Sequence, residues 1–188
     1  MVIAHRTHYT YADYVRIERD ANLKHEYLNG QIFAMAGGSR EHARLAAAII
    51  SALSAQVRAR GCDVYTSDLQ VRILATGLAT YPDVSVVCGK FEPDPENKEA
   101  LTNPKVLVEV LSPSTEEYDR IDKFEHYKQI ESLGEYVLVW QSERRVEVRS
   151  RGAGGTWDIK TFGDGALALL PSVEARIDVR ALYDTAPE

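Results

Sequence analysis

Lys105-Val106-Leu107-Val108-Glu109-Val110-Leu111-Ser112-Pro113-Ser114-Thr115 sets one carboxylate inside an otherwise β-branched and apolar run. Such a run reads as a buried strand, where a charge is costly unless a partner or a metal compensates it. Upstream, Tyr81-Pro82-Asp83-Val84 opens another apolar run with an acid at its head. A fold that pairs the two strands brings Asp83 and Glu109 to one metal-sized site. Downstream, Asp119, Lys123 and Tyr127 follow at i, i+4 steps, along one face of a helix expected from about Glu116 to Ser132. Ser114 with Glu117 has capping-box form for its start, and Gly134 ends it. Ile121, Phe124, Ile130 and Leu133 are left to meet the core. By itself the Asp119 to Lys123 pair reads as a wet-surface ion pair, worth about a few tenths of a kcal/mol. Beside two strand acids it becomes part of a candidate site.

The flanking chain supplies the rest of a layered fold. Thr10 with Asp13 caps a short helix to about Glu18. Glu26-Tyr27-Leu28-Asn29-Gly30-Gln31-Ile32-Phe33-Ala34-Met35 is a hairpin signal, because Asn29 and Gly30 both tolerate the positive φ of a type I′ turn. Gly37-Gly38 ends the second strand. Ser39 caps a long helix in which Leu45, Ala48, Ile49, Ala52, Leu53 and Val57 recur at steps of three and four, closed by Gly61. Strands are expected near 62–66, 69–74 and 83–88, then at 136–140, 145–150, 156–161 and 166–170, the last three completing the sheet. Phe91 to Asn103, with Pro93 and Pro95, reads as an exposed loop, and a last short helix starts at Asp178. The order fits an α+β (α/β layered) domain spanning 1–188, a mixed β-sheet flanked by helices with an N-terminal hairpin and C-terminal strands. No glycine-rich phosphate loop is present.

Composition bounds the function. A chain of 188 residues with 45% hydrophobic and 27% charged content can bury a real core. Its net charge of −6 argues against coating nucleic acid with a broad basic face, although bound metal would neutralise site acids. Arg40, Arg44, Arg58, Arg60, Arg144, Arg145, Arg149 and Arg151 offer local phosphate contacts or, more simply, solvated faces. No run approaches the roughly 20 apolar residues of a membrane span, and Met1 to Arg6 lacks signal-peptide character, so the cytoplasm is the default. Cys62 and Cys88 show no zinc spacing and read as reduced, buried thiols.

Together, Glu26-Tyr27-Leu28-Asn29-Gly30, Met35-Ala36-Gly37-Gly38 with His42, Tyr81-Pro82-Asp83-Val84, Val108 to Thr115, Asp119, Lys123, Tyr127 and Glu135-Tyr136 resemble the Uma-two family of restriction endonucleases, in the PD-(D/E)XK nuclease superfamily. The resemblance implies a restriction-endonuclease-like core that hydrolyses DNA. It also implies Asp83 and Glu109 as metal ligands and Lys123 as the catalytic lysine. The superfamily's usual lysine position, two residues after the acid, is Leu111 here, so Lys123 serves only if its ammonium folds back over the acids. Mg²⁺, with Mn²⁺ as a substitute, suits these oxygen ligands, completed by a backbone carbonyl near Val110. Glu26 is a candidate third acid. His42, Asp119 and Tyr127 are possible supports, and Asp68 a low-ranked one. A homodimer suits the cutting of two strands. The alternatives are a non-catalytic nucleic-acid- or protein-binding module on the same fold and a hydrolase of smaller phosphate esters.

Overall fold

Thr10 starts the first helix, α1 (Tyr11–Asp20), through a reciprocal capping box. Its hydroxyl takes the Asp13 N–H, and the Asp13 carboxylate takes the Thr10 N–H, each at 3.1 Å. Strands β1 (His25–Leu28) and β2 (Gln31–Ala34) follow as an antiparallel hairpin turning on Asn29 (φ 48) and Gly30 (φ 79). Helix α2 (Arg40–Val57) begins where the Ser39 hydroxyl accepts the His42 N–H, and buries Leu45, Ile49, Leu53 and Val57 along one stripe. The computed structural model describes residues 8–35 and 37–184. The N-terminal stretch read for a signal peptide, Ala36 of the Met35 to Gly38 motif, and residues 185–188 lie outside the described residues.

The remaining strands are β3 (Cys62–Thr66), β4 (Val71–Ile73), β5 (Leu78–Thr80), β6 (Val84–Cys88), β7 (Val106–Leu111), β8 (Glu135–Trp140), β9 (Val146–Arg151), β10 (Trp157–Phe162), β11 (Leu167–Leu170) and β12 (Ala175–Asp178). Helices α3 (Glu116–Arg120) and α4 (Asp122–Tyr127) connect β7 to β8, and α5 (Val179–Tyr183) follows β12 from the N-cap Asp178. The central sheet has six strands in the order β10-β9-β8-β7-β6-β3, with β7 and β8 parallel and the other neighbours antiparallel. A second sheet runs β2-β1-β5-β4, and β11 and β12 form a two-stranded sheet. This is the expected mixed sheet flanked by helices.

Alternation along the central strands divides the core. Val84, Val86, Val106, Val108 and Val110 pack with Leu45, Ile49 and Leu53 of α2. Leu107 and Leu111 pack with Phe124, Tyr127 and Tyr136 on the other side. Glu109 therefore faces α3 and α4 with Leu107 and Leu111, because side chains two apart share a face.

Several expectations need correction. The helix after Glu109 is two short helices, broken at Ile121 (φ −111, ψ −69), which is 55% exposed and not a core residue. Thr115, not Ser114, is the N-cap and makes no side-chain cap bond; the Ser112 hydroxyl instead bonds those of Ser114 and Thr115. The 91–103 segment is only partly exposed, because Asp94, Ala100 and Leu101 are buried and Leu101 bridges Val71. Strand β5 went unseen in the sequence, and β11 lies outside the central sheet. Cys62 and Cys88 face each other in the β3–β6 register and are joined as a disulfide, so they are not free thiols.

Several of the arginines are already paired within the chain. Arg149 is buried against Glu147, and Arg151 donates to the carbonyls of Lys128, Ile130 and Leu133. Arg44 holds Glu41 and the Leu182 carbonyl, and Arg144 holds Asp164 and Asp184.

The hairpin turn yields a direct test. A Cβ on Gly30 would sit at positive φ and run into the His8 ring. Gly30→Ala is expected to lower unfolding free energy by about 1–2 kcal/mol, read as a shifted urea midpoint at constant m-value, with Asn29→Gly close to neutral.

Candidate active site

Strand pairing brings the acids together first. In the β6–β7 register Val84 faces Val108, so Asp83, one step before β6, lies opposite Glu109. Asp83 Oδ2 accepts the Val110 N–H at 2.7 Å, tying the head of β6 to the strand that carries Glu109. Glu26 arrives from β1 of the second sheet, where the Thr80 hydroxyl on β5 donates to its Oε1. Lys123, near the start of α4, folds back over all of this. Its Nζ lies 3.2 Å from Glu26 Oε1, 3.2 Å from Glu109 Oε1 and 3.1 Å from Asp119 Oδ1. The Tyr127 hydroxyl donates to Glu109 Oε1 at 2.9 Å, and the Tyr118 hydroxyl donates to Glu26 Oε2 at 3.0 Å.

The cluster is closed to water: Glu109 is 4% exposed and Lys123 5%, with Glu26 and Asp119 also buried. The stripe on the α3–α4 segment is thus an internal ion network and not a wet-surface pair. Burial raises the Glu109 carboxyl to about 8; Lys123 and Tyr127 pull against this while Asp119 and Asp83 add to it. Burial alone would lower the Lys123 ammonium, but the fields of Glu109, Asp119 and Glu26 win, and it is held well above the ordinary lysine value. Lys123 is therefore a fixed positive charge rather than a base.

Toward the surface, His42 Nε2 sits 3.0 Å from Asp83 Oδ2, and that hydrogen bond raises the imidazole above its ordinary value. The sequence offered His42 as a support for the site, and its ring is hydrogen-bonded to Asp83. Asp68 lies apart from the cluster, with an 85% exposed side chain paired to Lys24. Tyr118 and Thr80 were not foreseen. Tyr118 differs from its surroundings only as an aromatic next to Asp119, and Thr80 depends on the unrecognised β5.

Residues 11–180 match the model of the Uma2 family, described as "Putative restriction endonuclease". The chain belongs to the Uma2 family. Two Synechocystis sp. (strain ATCC 27184 / PCC 6803 / Kazusa) proteins resemble this Uma2 chain. "Uncharacterized protein slr1290" is 33% identical over 174 residues, covering 91% of this chain and 89% of its own length. "Uncharacterized protein sll1609" is 32% identical over 157 residues, covering 84% and 89%. In fold, the chain is similar to the crystal structure titled as a "putative nuclease belonging to DUF820" from Anabaena variabilis ATCC 29413. That match has a TM-score of 0.76 at 17% identity and covers 93% of this chain and 97% of the other.

The donor set of this Uma2 chain can be tested for a metal. Among the described residues no three His, Cys, Asp or Glu side chains form a ready-made cage. Mg²⁺ does not require one, because it commonly binds through one or two carboxylates and completes its shell with water and substrate phosphate. Both hydrogen bonds to Glu109 end on Oε1 and both contacts to Asp83 on Oδ2, so Glu109 Oε2 and Asp83 Oδ1 take no hydrogen bond among the described residues. Hard oxygens in a desolvated, carboxylate-rich pocket fit a divalent cation.

The raised Glu109 carboxyl fixes the sign of a pH test. A carboxyl raised on folding contributes stability that is full below about pH 4.5 and lost as pH rises through about 8. Metal-free protein should lose melting temperature between about pH 4.5 and 8, and Glu109→Gln should flatten that loss. Lys123→Met should instead destabilise by about 3–5 kcal/mol, because buried carboxylates lose their cation. Calorimetry across pH separates the two.

Proposed function

We propose that the chain is a Mg²⁺-dependent endonuclease that hydrolyses DNA phosphodiester bonds, with Mn²⁺ able to substitute. The observation that carries this reading is the Lys123 ammonium lying 3.2 Å from Glu109 although the two side chains come from different elements. That is the fold-back a helix-borne catalytic lysine needs. The family description supports a nucleic-acid substrate.

In this reading Asp83 and Glu109 would hold the cation, with the Val110 carbonyl as a further donor. When bound, the metal supplies Lewis-acid polarisation of the phosphate and a more acidic attacking water. Lys123, fixed in charge and position, stabilises the negative charge that grows on phosphorus oxygens in the transition state. Glu26, held by Thr80 and Tyr118, keeps Lys123 in place and is the candidate to orient the water. His42 and the Val110 N–H hold the Asp83 carboxylate in one orientation. Asp119 and Tyr127 restrain Lys123 and Glu109. A homodimer, which would set two such sites against the two strands of a duplex, belongs to the same proposal.

Cleavage of plasmid DNA with Mg²⁺ or Mn²⁺ tests it. Asp83→Asn and Glu109→Gln should each lower the rate by about a hundredfold or more while the protein stays folded. Lys123→Arg, which keeps the charge inside the network, should lose turnover with little change in melting temperature. A Glu109→Gln protein that cuts at the wild-type rate would refute the assignment. DNA binding without cutting by the wild type would favour the non-catalytic module instead.

A further inference from the structure

In the β1–β2 hairpin Phe33 is the direct cross-strand partner of Glu26. Opposed residues of an antiparallel pair project from the same face, with Cβ atoms about 4.5–5.5 Å apart. Phe33 thus stands on the face of the second sheet that delivers Glu26 to Lys123. The opposite face carries Tyr27 and Ile32 into the aromatic cluster with Tyr11 and Tyr14 of α1. Glu26 is buried by Lys123, Thr80 and Tyr118. Phe33 has no such cover and is 48% exposed on the outermost strand of its sheet.

The chain beyond Phe33 leads back to the same site. Gly37, Gly38, Ser39 and Arg40 are all exposed, and two residues after Arg40 comes His42, the partner of Asp83. Phe33 stands beside Glu26, and Arg40 lies in the first turn of α2, the turn whose His42 meets Asp83 at the solvent-facing edge of the acid–lysine cluster. The two residues offer an exposed aromatic ring and an exposed guanidinium. That pairing suits nucleic acid, whose bases offer π-faces and whose backbone offers phosphates, better than an apolar protein surface.

We propose that Phe33 and Arg40 form a substrate lip on this site, Phe33 stacking on an unpaired nucleobase next to the scissile phosphate and Arg40 contacting a flanking phosphate. The inference rests on the endonuclease reading for its substrate class, and it adds a preference for DNA with an unstacked base near the cut: single strands, frayed ends or distorted duplexes. Paired and stacked bases in regular duplex offer no free face to the ring.

The test separates binding from cutting by using the Glu109→Gln protein without metal. Its partner is a short single-stranded oligonucleotide carrying one 2-aminopurine, compared with the same strand in a duplex. Stacking on Phe33 should quench the probe on the single strand, and Phe33→Ala or Phe33→Leu should remove the quench and weaken binding about tenfold or more. Phe33→Trp should restore both. Arg40→Gln should weaken binding and reduce its salt dependence without abolishing the quench. Equal affinity and quenching in the Phe33→Ala protein would overturn the lip. So would a dimer that dissociates on Phe33→Ala, since a second copy would then cover the ring. Plasmid cleavage by the wild type is scored independently, so a protein that quenches through Phe33 but never cuts would sink the nuclease reading and leave the lip standing as a binding device.

Discussion

One buried ammonium organises the interior of this protein. Lys123 reaches carboxylates from the β1 strand, the β7 strand and the α3 helix, all within 3.2 Å. Removing any such group from water is expensive, and only mutual compensation makes the cluster tolerable. The constraint extends outward through hydrogen bonds: Thr80 and Tyr118 fix Glu26, and Tyr127 fixes Glu109. The second sheet is thereby tied to the central one through charge as well as packing. Burial is what raises the Glu109 carboxyl first, and the neighbouring charges of Asp119 and Asp83 add to it.

The break at Ile121 belongs to the same constraint. Asp119 and Lys123 remain in contact across the junction of α3 and α4, while Ile121 between them turns to solvent. Two short helices pack closely over the strand ends, with Phe124 stacked on Tyr136 and Tyr127 set edge-on to it. The Tyr136 hydroxyl then caps the backbone by donating to the Asp119 carbonyl at 2.8 Å. Apolar packing thus fixes the backbone that carries both charged side chains.

Local chemistry decided how much of this was legible in the sequence. Asn29-Gly30, Ser39 and the i, i+4 stripe of α2 each carry their own signal within a few residues, and each element appears where those signals put it. Glu109 inside a valine-rich strand was legible because a charge there contradicts its surroundings. What failed depended on distant contacts. Strand β5 is three residues long and exists through pairing with β1 and β4. The loop between β6 and β7 buries Leu101 because β4 offers it a backbone partner. The disulfide needed the β3–β6 register, and Tyr118 and Thr80 mattered only once Glu26 had a place.

The fate of the arginines bears on how an acidic chain can hold a polyanion. Arg149 and Arg151 are locked into the core side of β9, and Arg44 and Arg144 are paired with carboxylates or carbonyls. Paired in this way, these four cations add little general phosphate attraction to a molecule of net charge −6. On the proposed reading, substrate attraction is concentrated where a cation would neutralise the acids and where Phe33 and Arg40 form the proposed lip. In the proposed nuclease, DNA would bind weakly until a cation is in place, because the carboxylates that would hold the cation repel phosphate without it. On that proposal, affinity for DNA and occupancy by the cation would be thermodynamically linked, each raising the other by the same factor.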